Sequence, residues 1–298
     1  MSDLKDAAAD VRPTRPSRVR VPAVAGGFYP RDARSLRASL EECFSGKRGP
    51  GRLPVPAPGS TGPRRTLAGI VPHAGYIYSG PIAAHLFSRL AKEPVPSTVL
   101  LLGVNHHGRG SLFSVSDEEW STPLGVVPTD RDLAGAIGRG PVDLDADAHL
   151  REHSIEVELP FLQTVYPTGG FRMIALQVTF THFDLLAELG AHLRKVVGDR
   201  DVLWLASTDF SHYVSPEVCR RQDDRALEPI LRMDPRALYD RVVQEDISMC
   251  GIAPTTALLC ALQGSHAKAE LLAKGHSGDA EPMDQVVGYA SIAISRSG

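Results

Sequence analysis

The sequence predicts an α/β fold, a mainly parallel or mixed central sheet flanked by helices, and three observations carry that expectation. Short apolar runs alternate with amphipathic segments along most of the chain, the pattern of strands covered by helices on both faces. Three of those runs stop abruptly in loops that carry histidine: residues 67–71 before Pro72-His73, residues 98–103 before Asn105-His106-His107, and residues 201–207 before Asp209 and His212. No internal repeat is present, so no solenoid or propeller competes with this reading.

The elements follow in order. Residues 1–18 are polar and rich in Pro and Arg, which predicts a disordered tail ahead of one domain over 19–298. Gly26-Gly27 followed by Phe28-Tyr29-Pro30 reads as a tight turn with aromatic anchors. Leu36, Leu40 and Phe44 share one face of a helix over 33–44. Residues 45–64 form a Pro/Gly-rich loop, which is no domain boundary because what precedes it is too short to fold alone. The strand over 67–71 leads through the His73 loop to a helix opened by Ser79-Gly80-Pro81. Alternation over 111–130 predicts short edge strands. A helix runs through Ile155, Leu159 and Leu162, with Pro160 tolerable only in its first turn. A strand over 172–178, a helix over 183–197, helices across 216–245 and a helix over 255–262 follow. Strands near 269–273 and over 286–294 close the chain.

Bulk properties exclude several classes of function. A net charge of −3 leaves no basic footprint for nucleic acid and no polybasic patch for a membrane surface. No apolar run approaches the ~20 residues that span a bilayer. The first twenty residues lack the apolar core of a secretory signal, so the expected location is the cytoplasm. Four cysteines (Cys43, Cys219, Cys250, Cys260) make neither a disulfide framework nor a C-x-x-C pair. The chain has no G-x-G-x-x-G after a strand, no G-x-x-x-x-G-K-[ST] and no G-x-S-x-G, so nucleotide and serine-hydrolase readings have no support.

The histidine loops point to a site. In a parallel sheet the three junctions lie on one edge, where ligands bind in open α/β folds. Taken singly, each histidine is as readily a hydrogen-bonded loop residue; the convergence of His73, His106-His107 and Asp209/His212 is what favours a metal or catalytic pocket. Adjacent residues rarely face one ligand, so one of His106 and His107 orients its neighbour. His153, within Glu152-His153-Ser154, is either an acid/base at the pocket or a solvated residue opening an acidic helix. Cys250 precedes a helix, whose N-terminus would lower a thiol pKa and make a thiolate ligand or nucleophile; an inert buried cysteine is the alternative. His85, His182, His192, His266 and His276 fall on helix faces or isolated loops and are assigned to structure or surface.

Five motifs in order, PHAGYIYSG (72–80), LLGVNHH (101–107), EHSIEVELPF (152–161), STDFSHY (207–213) and MCG (249–251), resemble those of the Memo family. Bacterial and archaeal members of that family are called AmmeMemoRadiSam system protein B. The resemblance covers nearly the whole chain, departing at Val104-Asn105, where Pro-Ser is usual, and at Val214, where Gly is common. It implies a fold similar to the class III extradiol dioxygenases, which are non-haem iron(II) enzymes. It also implies that His73, His106 and Cys250 hold a metal, with His212, Asp209 and His153 lining the same pocket. A thiolate where those dioxygenases have a carboxylate is a softer donor, so iron(II) or copper is expected, with zinc also compatible. The expected function is a metal-dependent oxidoreductase in which His212 is acid/base and Asp209 orients it. The alternative is a non-catalytic adaptor whose pocket binds a peptide or anion. Expected partners are a small molecule or peptide in the pocket and a radical-enzyme system protein.

Overall fold

The computed structural model describes residues 18–55, 62–167 and 169–296. The expected disordered tail over 1–18 lies almost entirely outside the described residues, as does the middle of the Pro/Gly-rich loop. The strands are β1 (Val19–Arg20), β2 (Thr66–Val71), β3 (Thr98–Val104), β4 (Phe113–Ser116), β5 (Glu119–Thr122), β6 (Gly125–Val127), β7 (Asp143–Leu144), β8 (Arg172–Val178), β9 (Val202–Ser207), β10 (Ala267–His276) and β11 (Gly288–Arg296). The helices are α1 (Ala33–Ser45), α2 (Gly80–Leu90), α3 (Arg131–Ile137), α4 (Leu159–Val165), α5 (Phe183–Val197), α6 (Pro216–Leu231), α7 (Pro235–Gln244) and α8 (Ile252–Ala261).

Eight strands join one mixed sheet in the order β10-β11-β2-β9-β3-β8-β4-β7, and β1, β5 and β6 form a small second sheet. The centre, β2-β9-β3-β8, is parallel, whereas β11 runs antiparallel to β2 and β4 antiparallel to β8. The central strands are buried on both faces, which is why they read as unbroken apolar runs rather than as alternation. Along β3, Val99 and Leu101 pack with α1, α2 and α4, while Leu100 and Leu102 pack with α3 and α5 through α8. The period-two geometry of the strand thus divides the core into two layers.

Local chemistry sets the helix starts. Asp32 accepts from Ser35 N–H to cap α1, and Ser215 accepts from Val218 N–H ahead of Pro216 at the first turn of α6. All ten residues of α8 are buried, as expected of a helix apolar all round, and it packs beneath β3 and β9. It begins at Ile252, three residues earlier than the sequence suggests, because Pro254 is accommodated in its first turn. The strand expected near 269–273 is longer, with a register shift between Leu271 and Ala273.

The small sheet is anchored by Arg20, which pairs in register with Trp120. Beneath it lies His149, fully buried, with Nε2–H donating to the Ser114 carbonyl at 3.1 Å. Burial, and then the Arg20 charge, pushes this imidazole down from 6.5 to about 4. Between those values the unfolded chain takes up a proton that the folded chain refuses, so stability from this group is present above pH 6.5 and lost as pH falls toward 4. The expected loss is ~3 kcal/mol. In His149→Gln, denaturant titrations at stepped pH are expected to show a flatter profile across this window, and an unchanged slope would overturn the assignment.

Candidate functional site

Because β2, β9 and β3 are parallel, their C-terminal ends line one edge of the sheet. His73, Asp209 and His106 each lie two residues past the last residue of their strand. The geometry therefore brings the three sequence-predicted junctions together.

His73 is buried at 2% exposure. Its backbone N–H donates to Asp209 Oδ1 at 2.8 Å, its Nδ1 lies 2.8 Å from Ser207 Oγ, and its Nε2 lies 3.3 Å from Cys250 Sγ. Burial, together with the His153 and His106 rings, holds its pKa well below the usual imidazole value, so the ring is neutral. A neutral imidazole is the form that ligates metals.

His106 is oriented by Glu152, a residue that sequence reasoning did not single out. Glu152 accepts the His106 N–H at 2.7 Å and Nδ1–H at 2.9 Å, and also the backbone N–H groups of His153 at 2.8 Å and Ser154 at 3.1 Å. His153 Nδ1 lies 3.2 Å away. Burial alone would raise this carboxyl, but the His106 hydrogen bond and the two imidazoles outweigh it and hold it below the ordinary carboxylate range. With Nδ1 taken, His106 has only Nε2 to offer a ligand. A second grouping, His106, Glu152 and His153, is also close enough to hold an ion, but these N–H donors already occupy its carboxylate. His107 is exposed, with Nε2 3.1 Å from the Arg151 carbonyl, and takes no part.

Cys250 Sγ accepts the Asp209 N–H at 3.3 Å. The expectation that a helix N-terminus lowers this thiol is overturned: burial, with Asp209 adding, pushes it well up. Without a cation beside it the sulfur stays protonated. The next residue, Gly251, has no room for a side chain, since a Cβ would meet Thr208 Cβ at 2.2 Å and the Ser207 carbonyl at 2.9 Å. One ligand atom from each of His73, His106 and Cys250 lies within 4.8 Å of the others.

Asp209 is pushed up to about 6 by burial, against the pull of the His73 N–H and His212. It does not orient His212 as expected. Asp209 Oδ1 serves His73, and the His212 ring is held through Nδ1 by the carbonyls of Phe210 at 2.7 Å and Ser248 at 2.8 Å. That leaves His212 Nε2 as a proton acceptor. His153 stacks on His106 with ring centroids 4.7 Å apart and meets His73 edge-on at 5.3 Å. Burial pushes it down to about 4 against the pull of Glu152.

All six predicted residues line one cavity of about 680 Å³. Phe28, Tyr78, Met283, Val287 and Tyr289 line the same cavity, the Phe28 ring 4.5 Å from that of His153, and were not foreseen as part of the site. Phe28 comes from the GGFYP segment, Val287 and Tyr289 from VGYAS and Tyr78 from PHAGYIYSG; these were visible as motifs, but nothing local shows that those side chains enter the pocket. No helix among the described residues is long and apolar enough to cross a membrane.

Comparison with known proteins agrees with the resemblance. A MEMO1 family protein of Methanopyrus kandleri is 42% identical over 285 residues, covering 93% of this chain and 99% of its own. One from Methanococcoides burtonii is 38% identical over 279 residues, covering 93% and 100%. An uncharacterized Escherichia coli K12 protein of known structure shares the fold at a TM-score of 0.50 and 15% identity, over 77% of this chain and 99% of that one. Residues 20–293 match the family described as Memo-like protein, and the chain belongs to that family.

Proposed function

We propose that this chain is a metal-dependent oxidoreductase that holds one iron or copper ion on His73, His106 and Cys250 and acts on a small molecule in the cavity. The observation that carries the reading is the approach of three ligand atoms within 4.8 Å, two of them on imidazoles whose Nδ1 atoms are already occupied. The half-buried, protonated Cys250 fits a cation as well, since a positive charge would convert a desolvated thiol into a thiolate. The N₂S donor set suits redox-active iron or copper, and zinc as the redox-silent case. When bound, such an ion supplies one-electron chemistry and a Lewis-acidic contact for a substrate oxygen.

The chain's own residues supply the rest. Glu152 fixes the His106 ring, so Nε2 is aimed without rearrangement. Asp209, at about 6, exchanges a proton near neutrality. His212 presents Nε2 as a base on the cavity wall, its other nitrogen committed to two carbonyls. The apolar side chains of Phe28, Met283 and Val287 exclude water where they meet a bound molecule. A second reading is favoured by Tyr213, which lines the cavity while 72% exposed: an adaptor that takes up a peptide side chain.

Metal analysis of protein purified without oxygen is expected to find one iron or copper per chain, lost in His73→Ala and in Cys250→Ala. Metal retained in both variants, or absent from wild type after reconstitution, would sink the proposal. Oxygen consumption on a panel of catechols separates the two readings: turnover abolished by Cys250→Ala supports the enzyme, whereas peptide binding that survives the substitution supports the adaptor.

A further inference from the structure

Three buried glutamates follow one another in the segment that backs the site, and each is stabilised differently. Glu152 is an anion surrounded by N–H donors. Glu156 is paired with Arg20 at 2.7 Å and accepts from Ala23 N–H, Val24 N–H and the Tyr29 hydroxyl. Glu158, only 1% exposed, instead faces a hydroxyl whose hydrogen is already committed.

That hydroxyl belongs to Ser207, the last residue of β9. Its oxygen has three neighbours: the Ser154 carbonyl at 2.6 Å, His73 Nδ1 at 2.8 Å and Glu158 Oε1 at 3.0 Å. A hydroxyl carries one hydrogen and two lone pairs. The carbonyl cannot donate, and two oxygens this close repel unless a hydrogen lies between them, so the Ser207 hydrogen is on Ser154. Both lone pairs then need donors. Only one arrangement satisfies all three contacts: His73 donates Nδ1–H and Glu158 donates a carboxyl O–H. An ionised Glu158 would set acceptor against acceptor in a site that water does not reach, the costliest kind of buried mismatch.

We propose that Glu158 is held as a neutral carboxylic acid and acts, through Ser207, as the positioning residue that fixes His73 in its Nδ1–H tautomer, with the Nε2 lone pair turned toward Cys250 and the cavity. The surroundings agree, because burial pushes this carboxyl well above its ordinary range against the pull of the Ser207 contact, and the neighbouring Asp209 pushes it up further. The Glu158–Ser207–His73 chain sets hydrogen positions in the protein itself, so the inference stands apart from which ion, if any, the site takes.

The test uses the full chain freed of metal. Infrared difference spectra of wild type against Glu158→Gln at neutral pH are expected to show a protonated-carboxyl carbonyl band present only in wild type. In protein labelled with ¹⁵N-histidine, His73 is expected to be the Nδ1–H tautomer in wild type. Glu158→Gln keeps it, because the amide N–H donates where the acid O–H did. Glu158→Leu shifts the tautomer ratio by roughly tenfold, the worth of one buried hydrogen bond. A carboxylate signature for Glu158, an Nε2–H tautomer in wild type, or a folded leucine variant with the wild-type ratio would each overturn the proposal. If the leucine variant does not fold, the infrared comparison and the wild-type tautomer decide it alone.

Discussion

Arg20→Leu is expected to lower the free energy of unfolding by ~3–5 kcal/mol, the usual cost of removing one partner from a buried ion pair. Arg20 is 4% exposed, and its guanidinium makes three bonds: Nη1 to Glu156 at 2.7 Å, Nε to the His149 carbonyl at 2.6 Å and Nη2 to the Glu152 carbonyl at 2.6 Å. It also lies 4.0 Å over the Trp120 ring. Leucine fills some of the volume but leaves a carboxylate and two carbonyls short of donors. Glu156 retains two backbone amides and Tyr29, which keeps the loss within this range. Arg20→Lys keeps the charge but replaces a planar fork by a point, so it recovers only part of the loss. Denaturant titration checks this: the midpoint falls with the slope unchanged. A change below ~1 kcal/mol would show that the network contributes little.

Glu152→Gln has the second large effect, and it reaches the site directly. Glutamine leaves one oxygen for the N–H groups that converge on the carboxylate, and turns its own N–H₂ toward the remainder. The expected loss of stability is ~2–4 kcal/mol. Since folding lowers the Glu152 pKa below its ordinary 4.5, its contribution is present above pH 4.5 and lost as pH falls below it. Wild type and variant therefore converge in acid and separate toward neutrality. With the His106 ring no longer anchored at Nδ1, affinity for the proposed metal falls roughly 10–100-fold. Unfolding curves at stepped pH and metal titration of the same samples test both parts. A variant as stable as wild type at neutral pH would refute the structural part, and unaltered metal affinity the functional one.

Much of this arrangement is legible in the sequence, for a simple reason. A strand that ends in a loop announces both its own limit and the side chain displayed there, and parallel pairing puts such ends together. His73, His106 and Asp209 are each found this way. Cys250 is not on such a junction: its place before a helix marks it as a thiolate ligand or nucleophile with an inert cysteine as the alternative, and the family resemblance is what implies that it joins the two histidines. Glu152, Ser207 and Glu158 escape because their roles depend on partners far away in the chain. The stretch Glu156-Val157-Glu158 looks like a solvated acidic face, yet all three residues are buried, and the groups that make this tolerable come from Arg20, Ala23 and Ser207. Closeness in sequence also misleads: Asp209 lies three residues from His212 but serves His73, while backbone carbonyls hold His212. At Cys250 a local rule about helix ends yields to desolvation, which depends on the whole fold.

The place of β11 has a consequence for how the molecule is made. This last strand lies against β2, the first strand of the large sheet, pairing Ile292 with Ile70. Its first residue accepts from Phe210 N–H and donates to the Ser211 carbonyl, fastening the loop that carries His212. Contacts this distant in sequence slow folding. During synthesis β2 waits without this neighbour until β3 through β10 have been made, an unpaired edge of the kind that invites wrong association. Removing Gly288–Arg296 is thus a different injury from trimming an edge strand: it withholds the strand that joins β10 to β2 and the clasp on one wall of the pocket together.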